Sequence, residues 1–303
     1  MVVGHESCES VKPRRIACAV EKLIRRKRDY PGLYETEFIG INISDSSSQT
    51  ESAIDEIKLY VYGGNADNEL VKDLRGFGMV GCTETVLSGQ AGLCSRINIG
   101  LNNRDSKHML RLREYIMQNF NYMVGHAKEF DYLLRMPISS KPGYELASLY
   151  YLGLSSPGND GESLKCYFIT RELNNNVEDI RRDYSFDNER YLDYIARLGA
   201  FEFLIGPAEL LLSYKDVDLW MVGIDYSLTA SPRRKLYFCC IKKPFPLELL
   251  SKALHESGLE RLSAKLDTLI DELSESICLS NLMGFAISAP QPGMGLNLYF
   301  GTR

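Results

Sequence analysis

Arg233, Lys235 and Tyr237 stand at alternate positions in the run Ser231 to Cys240, with Arg234, Leu236 and Phe238 between them. In a strand, alternate residues share a face. One face of this run then carries two cations and a phenol, and the other carries Leu236 and Phe238. A wall of that kind can hold an anion against fixed charge and a cation against ring faces. A single copy reads equally well as a half-buried strand with a solvated polar side. What changes the weighing is recurrence: Lys58-x-Tyr60-x-Tyr62, Arg111-x-Arg113, Lys165-x-Tyr167 and Asn297-x-Tyr299 have the same alternation.

Each of these runs is the second half of a larger unit: a short strand, often with Gly near its middle, a polar turn, then the patterned strand. Five units are read: Phe38–Ser44 with Ile57–Tyr62, Ser95–Leu101 with His108–Tyr115, Tyr150–Ser156 with Leu164–Thr170, Trp220–Ser227 with Arg233–Cys240, and Leu282–Ser288 with Leu296–Phe300. Their centres, at Gly40, Arg96, Gly153, Gly223 and Gly284, recur about every 60 residues, a period that fixes architecture before any motif does.

Helical patterns fill the intervals. Lys12 to Arg28 presents Ile16, Val20 and Leu23 on one side, and its basic run Arg25–Asp29 suits a solvated helix end. Asn65 is the expected cap of a helix reaching Arg75. Tyr115–Ala127, Asp187–Leu198 and Pro207–Leu212 follow as helices, and Met136–Tyr144 as loop. Two leucine stripes are the clearest: Leu247, Leu250 and Leu254, then Leu259, Leu262, Leu266, Leu269 and Leu273. Those stripes must be buried, and the apolar alternate face of the strands (Leu59, Val61, Leu112, Cys166, Phe168, Leu236, Phe238, Leu298, Phe300) is their natural partner. The polar faces are then left to each other. Closing ten strands into a barrel removes the sheet edges and makes the polar face a lumen, wider than the filled eight-stranded case. The expected class is α+β: a ten-stranded antiparallel barrel of five ββ units ringed by helices, one domain over residues 1–303.

The remaining composition excludes more than it assigns. A net charge of −5 gives no basic footprint for nucleic acid, and no run reaches the length of a membrane span. Eight cysteines without a C-x-x-C pair and without a signal peptide read as reduced thiols of a cytoplasmic protein, expected to act as a monomer. The four histidines have no metal spacing. Trp220 begins a strand and is read as rim or core.

The five units with Lys-x-Tyr on their second strands resemble the ABBA prenyltransferases, whose ten-stranded barrel holds its active site inside. The resemblance spans Phe38 to Phe300. Lys165-x-Tyr167 and Arg233-x-Lys235-x-Tyr237 are similar to the diphosphate-binding strands of the dimethylallyltryptophan synthases. Unit two, with Ile97-Asn98-Ile99, Asn102, Asp105-Ser106 and Arg111-Leu112-Arg113, resembles the cyanobactin peptide prenyltransferases.

What the resemblance implies is transfer of a C5 or C10 isoprenyl group from its diphosphate by ionisation to an allylic cation. The departing pyrophosphate needs fixed positive charge, assigned to Lys58, Arg111, Arg113, Lys165, Arg233 and Lys235. The cation needs ring faces and dryness, assigned to Tyr60, Tyr167, Tyr237, Tyr299 and Asn297. No DDxxD run is present, so the residues require no cofactor, and Mg2+ is at most an assistant to the diphosphate. The family's acceptor-polarising Glu on the first strand falls at Gly40 here. Glu37 faces the helices by parity. Asp225 and Asn42, on inward first-strand positions, are therefore the candidate base and acceptor anchor.

The acceptor expectation comes from the barrel's mouths. Only Gly301-Thr302-Arg303 follows the fifth hairpin, so no C-terminal helix is read as a plug. One mouth then suits a cyclic peptide that presents a single side chain and seals the site itself. Three alternatives stand beside this reading: a free aromatic acceptor such as an indole, a non-catalytic ligand-binding barrel, and an open α+β interaction module.

Overall fold

The computed structural model describes residues 35–45, 56–62, 84–88, 92–101, 104–138, 147–155, 163–170, 188–228, 230–240, 245–273, 282–289 and 293–301. The expected helices at Lys12–Arg28 and Asn65–Arg75 lie outside them. Strands β1 (Glu35–Ser44), β2 (Glu56–Tyr62), β3 (Glu84–Ser88), β4 (Gly92–Gly100), β5 (Leu149–Ser155), β6 (Ser163–Ile169), β7 (Val217–Ser227), β8 (Arg233–Cys240), β9 (Leu282–Ala289) and β10 (Gly295–Gly301) pair antiparallel. Their order is β1-β10-β9-β8-β7-β6-β5-β4-β3-β2, and β1 also pairs with β2, so the sheet closes. The open-module alternative falls with that closure.

The helices are α1 (Ser106–Asn119), α2 (Ala127–Leu134), α3 (Asn188–Ala196), α4 (Glu202–Leu212), α5 (Leu247–Glu256) and α6 (Glu260–Leu273). Their apolar stripes and the outward residues of the strands make one buried core. Leu250, Leu254, Leu262 and Leu266 are fully withdrawn from water, as are Leu236, Phe238, Phe285 and Leu298 on the barrel. At about 1.5–3 kcal/mol per buried large side chain, this shared core is the main force holding helices to barrel. It also decides which face of each strand turns inward.

Glycine permits one close strand approach. A Cβ on Gly284 would lie 2.3 Å from the Phe238 carbonyl oxygen, so β9 passes β8 there only without a side chain.

Unit two departs from expectation. His108–Tyr115 is not a strand but the middle of α1. Asp105 caps that helix by accepting the His108 N–H at 2.9 Å, and Met109, Leu112 and Ile116 are buried at helical spacing. The alternation of Leu110 and Leu112 with Arg111 and Arg113 was too short to tell a period of 2 from one of 3.6. Ser95–Leu101 belongs to β4, which pairs with β3 through Leu87↔Leu93 and Ser88↔Gly92. Its expected place as the first strand of a hairpin is therefore corrected: it is the second. Elsewhere the helical readings at Asp187–Leu198, Leu247–Leu254 and Leu259–Leu273 correspond to α3, α5 and α6, and α4 starts upstream of Pro207, which its interior accommodates.

Candidate active site in the barrel lumen

Cross-strand register orders the inward residues into rows. The first row runs Arg233, Asp225, Lys165, Gly153, Asn98 across β8, β7, β6, β5 and β4. The next runs Ser288, Lys235, Gly223, Tyr167, Tyr151 across β9 to β5. A third runs Asn297, Ala286, Tyr237, Met221, Ile169 across β10 to β6. Two residues of strand separate consecutive rows, about 6.6 Å of rise. Along the wall the lining thus passes from charged, through mixed, to mostly apolar.

At the charged end Lys235 Nζ donates to Asp225 Oδ2 at 2.7 Å, and Lys165 Nζ lies 3.5 Å from the same oxygen. Arg233 donates from Nε and Nη2 to Ser288 Oγ at 3.2 and 2.8 Å. Ser288 in turn donates to the Gly295 carbonyl at 3.3 Å, which sets its lone pairs toward the guanidinium.

Beyond the lysines comes a chain of rings. Tyr151 meets Tyr167 edge-on at 6.4 Å, Tyr167 meets Tyr237 at 5.8 Å, and Tyr237 stacks on Tyr299 at 6.2 Å. The small side chain of Ala286, on β9 between β8 and β10, leaves room for that stack. Gly223 has a similar part: a Cβ there would come within 2.7 Å of Tyr237 Cε2. Ile169, Met221, Tyr237 and Ala286 form a buried apolar cluster separate from the outer core, with Ile138, Trp220 and Tyr299 packed on it. Ile138 reaches the cluster from the segment after α2. Trp220 is placed at an irregularity of register between Leu219 and Met221, where Thr170 Oγ1 donates to the carbonyls of both Leu219 and Trp220.

The predicted residues divide accordingly. Lys165, Arg233, Lys235, Tyr167, Tyr237, Tyr299 and Asn297 converge on the inner face. Asn42 lies opposite Asn297, and its Oδ1 is buried with no hydrogen-bond partner among the described residues. Lys58 and Tyr60 occupy the matching alternate positions of β2, opposite Gly40 and Phe38. Arg111 and Arg113 leave the set. Arg111 is exposed on α1, and Arg113 makes a bidentate pair with Asp131 of α2 at 2.5 and 2.7 Å. That pair, outside the barrel, raises the Arg113 pKa. Asp225 is lumenal, but as the partner of two lysines.

Three charged strand positions were not assigned to the site from sequence. Arg96 takes the position opposite Ser155, in the alternation of Asn98, so it belongs to a second strand. Glu84 lies opposite Asn98 and Tyr62 at the end of the charged row, and Glu56 lies opposite Asn42. The parity argument against Glu37 lapses, because β1 shifts register between Thr36 and Phe38. The signal available for Arg96 was the alternation Cys94, Arg96, Asn98. Behind the wall, burial first and the Asp225 charge second push the Cys166 thiol far up, which removes it as a nucleophile. Among the described residues no three His, Cys, Asp or Glu side chains gather as a metal site, and no helix is long and apolar enough to cross a membrane.

No family model and no curated protein matches this sequence. Solved structures do. The chain is similar to AnaPT from Neosartorya fischeri at a TM-score of 0.53 and 10% identity, over 88% of this chain and 77% of that one. It is similar to the NotF prenyltransferase at 0.53 and 9% identity, over 88% and 81%. NotF in complex with brevianamide F and DMSPP matches at 0.52 and 10%, over 88% and 80%. These solved structures share the fold of this chain.

Proposed function

We propose that the chain is a prenyltransferase that moves a dimethylallyl-type group from its diphosphate to a small aromatic acceptor. The observation that carries this reading is the succession along one wall: Arg233, Lys165 and Lys235, then Tyr167, Tyr237 and Tyr299. The donor's C1–O bond breaks heterolytically, and its electron pair leaves on pyrophosphate. Lys165, Lys235 and Arg233 meet that developing charge, each such donor being worth about 3–4 kcal/mol of barrier. Lys58 of β2, in register with Gly40 and through it with Tyr299, is assigned to the same diphosphate. The allylic cation forms one row further in, where ring faces supply roughly 0.5–2 kcal/mol apiece and the apolar cluster excludes water. The π pair of the acceptor closes the new C–C bond, and the ring proton passes to the released pyrophosphate. Asn42 Oδ1, buried and open to a donor, orients an acceptor N–H. Two ammonium groups and a guanidinium supply the charge directly, so Mg2+ acts only with the free diphosphate.

A small acceptor suits the lumen better than a peptide. Ile138 packs against the apolar cluster from outside the strands, and the structurally similar NotF is seen with brevianamide F. The likeness to cyanobactin enzymes rested on unit two, whose second strand is a helix. The test is incubation with dimethylallyl and geranyl diphosphates and a panel of indoles, tryptophan, cyclic dipeptides and aromatic macrocycles, read by mass, with and without EDTA. Expected are products one isoprene unit heavier from the small aromatics. Tight binding of a prenyl thiodiphosphate with no product from any acceptor would favour a non-catalytic ligand barrel.

A further inference from the structure

Two ammonium groups in the lumen share one carboxylate oxygen. Asp225 Oδ2 is 2.7 Å from Lys235 Nζ and 3.5 Å from Lys165 Nζ, and the three side chains keep only 15%, 11% and 7% of their exposure. Charges so withdrawn from water are costly unless an opposite charge accompanies them. Asp225 supplies that charge in the donor-free barrel. Its place is fixed by register: it stands directly between Arg233 of β8 and Lys165 of β6, in the row where cations concentrate. A ligand oxygen that reaches both ammonium groups must therefore contend with Oδ2.

We infer that Asp225 is a built-in competitor of the donor's diphosphate, a residue that sets which anions the lysines accept and how readily pyrophosphate leaves. The inference rests on the proposed diphosphate site. The carboxylate aims Lys165 and Lys235 at one point. A ligand takes them over only when it brings more negative charge than one carboxylate. A diphosphate does so, and a carboxylate or phosphate monoester does so poorly. After transfer the same carboxylate repels pyrophosphate and retakes the lysines, so product leaves faster than from a purely cationic site. This role differs from that of a base, which would act only in the bond-making step.

The experiment is calorimetric titration of inorganic pyrophosphate and inorganic phosphate into wild type, Asp225→Asn and Asp225→Glu. For Asp225→Asn we expect pyrophosphate affinity to rise about tenfold or more, with measurable phosphate binding, while Asp225→Glu stays within about threefold of wild type. In turnover, kcat and the donor KM should both fall in Asp225→Asn, while the single-turnover rate of transfer is kept. Unchanged or weaker pyrophosphate binding by folded Asp225→Asn overturns the inference, as does loss of single-turnover rate at unchanged affinity, which is the mark of a base. If neither wild type nor variant binds pyrophosphate, the diphosphate site itself falls. Should Asp225→Asn fail to fold, wild type labelled with 13C-carboxylate aspartate gives the answer by infrared difference. Pyrophosphate should shift a carboxylate stretch away from its ion-paired position, and no shift overturns the inference.

Discussion

Arg234 and Lys235 are consecutive residues of β8, and each makes a buried ion pair, on opposite faces of the same wall. Outward, Arg234 meets Glu129 of α2 fork to fork, Nε to Oε1 at 2.7 Å and Nη2 to Oε2 at 3.1 Å, with its guanidinium 5.9 Å from the Phe201 ring centroid. Inward, Lys235 shares one oxygen of Asp225 with Lys165. The outer pair is balanced, one charge against one, with geometry that uses both carboxylate oxygens. The inner group carries two cations on one oxygen, with Arg233 next in the row. Burial is similar on the two faces, so burial is not what distinguishes them. The difference lies in geometry: the outer guanidinium takes both oxygens of one carboxylate, whereas one oxygen of Asp225 is shared by two ammonium groups that a ligand can also reach.

The largest test of that contrast is Lys235→Ala. Turnover should fall by about two orders of magnitude or more, because the ammonium matters most as charge develops on the leaving oxygen. Lys235→Arg should retain more, without matching wild type, since a planar fork replaces a point charge. Product formation by mass in both variants, with Lys165→Ala beside them, checks this; full activity in either alanine variant would place the chemistry on another wall. Glu129→Ala should do the reverse. It leaves Arg234 buried and unpaired, at a cost of about 3 kcal/mol in stability. Urea unfolding reads that loss, while the folded fraction should turn over normally. A drop in activity per folded molecule would show that the outer pair is not only structural.

Gly223→Ala probes the boundary between charge and rings. The added Cβ meets Tyr237 Cε2 at 2.7 Å, so the ring must move away from Tyr167 or the strand must shift. Overpacking of this kind costs about 1–3 kcal/mol, which predicts a transfer rate reduced about tenfold. The variant should also release a larger share of prenyl alcohol, since a displaced ring admits water to the cation. An unchanged ratio of alcohol to transferred product would mean that Tyr237 does not shield the reacting carbon.

Much of this inner wall was legible because strand alternation survives without tertiary help. Lys165, Tyr167, Arg233, Lys235, Tyr237 and Tyr299 sit on strands long enough for a period of 2 to be unmistakable, and outward Phe168, Leu236 and Phe238 confirm the parity. The leucine stripes of α5 and α6 were equally plain. What failed did so for local reasons. In unit two, four residues of alternation from Leu110 to Arg113 outweighed the cap at Asp105 and the wider spacing of Met109, Leu112 and Ile116. The short strand Glu84–Ser88 lacked a pattern of its own, so β4 was given the wrong partner, and Arg96, read as a unit centre, was left out of the candidate cations. On β1, a register shift between Thr36 and Phe38 broke a parity that sequence alone had carried through Glu37. Nor does the sequence reveal that Asp225 meets Lys235, ten positions on, because that contact depends on the β7–β8 register.

The smallest expected effect sharpens the comparison most directly, because it concerns a cation whose type and spacing looked catalytic. Arg113 has the same geometry as Arg234: a bidentate pair, here with Asp131, that links α1 to α2. Its side chain and that of Asp131 retain 28% and 30% exposure, so water screens the pair more than it screens Arg234 and Glu129. Arg113→Ala should accordingly lower stability by about 1 kcal/mol or less. It should leave the donor KM and kcat within error of wild type, in contrast to Lys165→Ala and Lys235→Ala. Thermal unfolding and steady-state kinetics on one preparation measure both quantities. A donor KM raised severalfold in Arg113→Ala, at unchanged stability, would return this arginine to the lumen and reinstate a strand where α1 now stands.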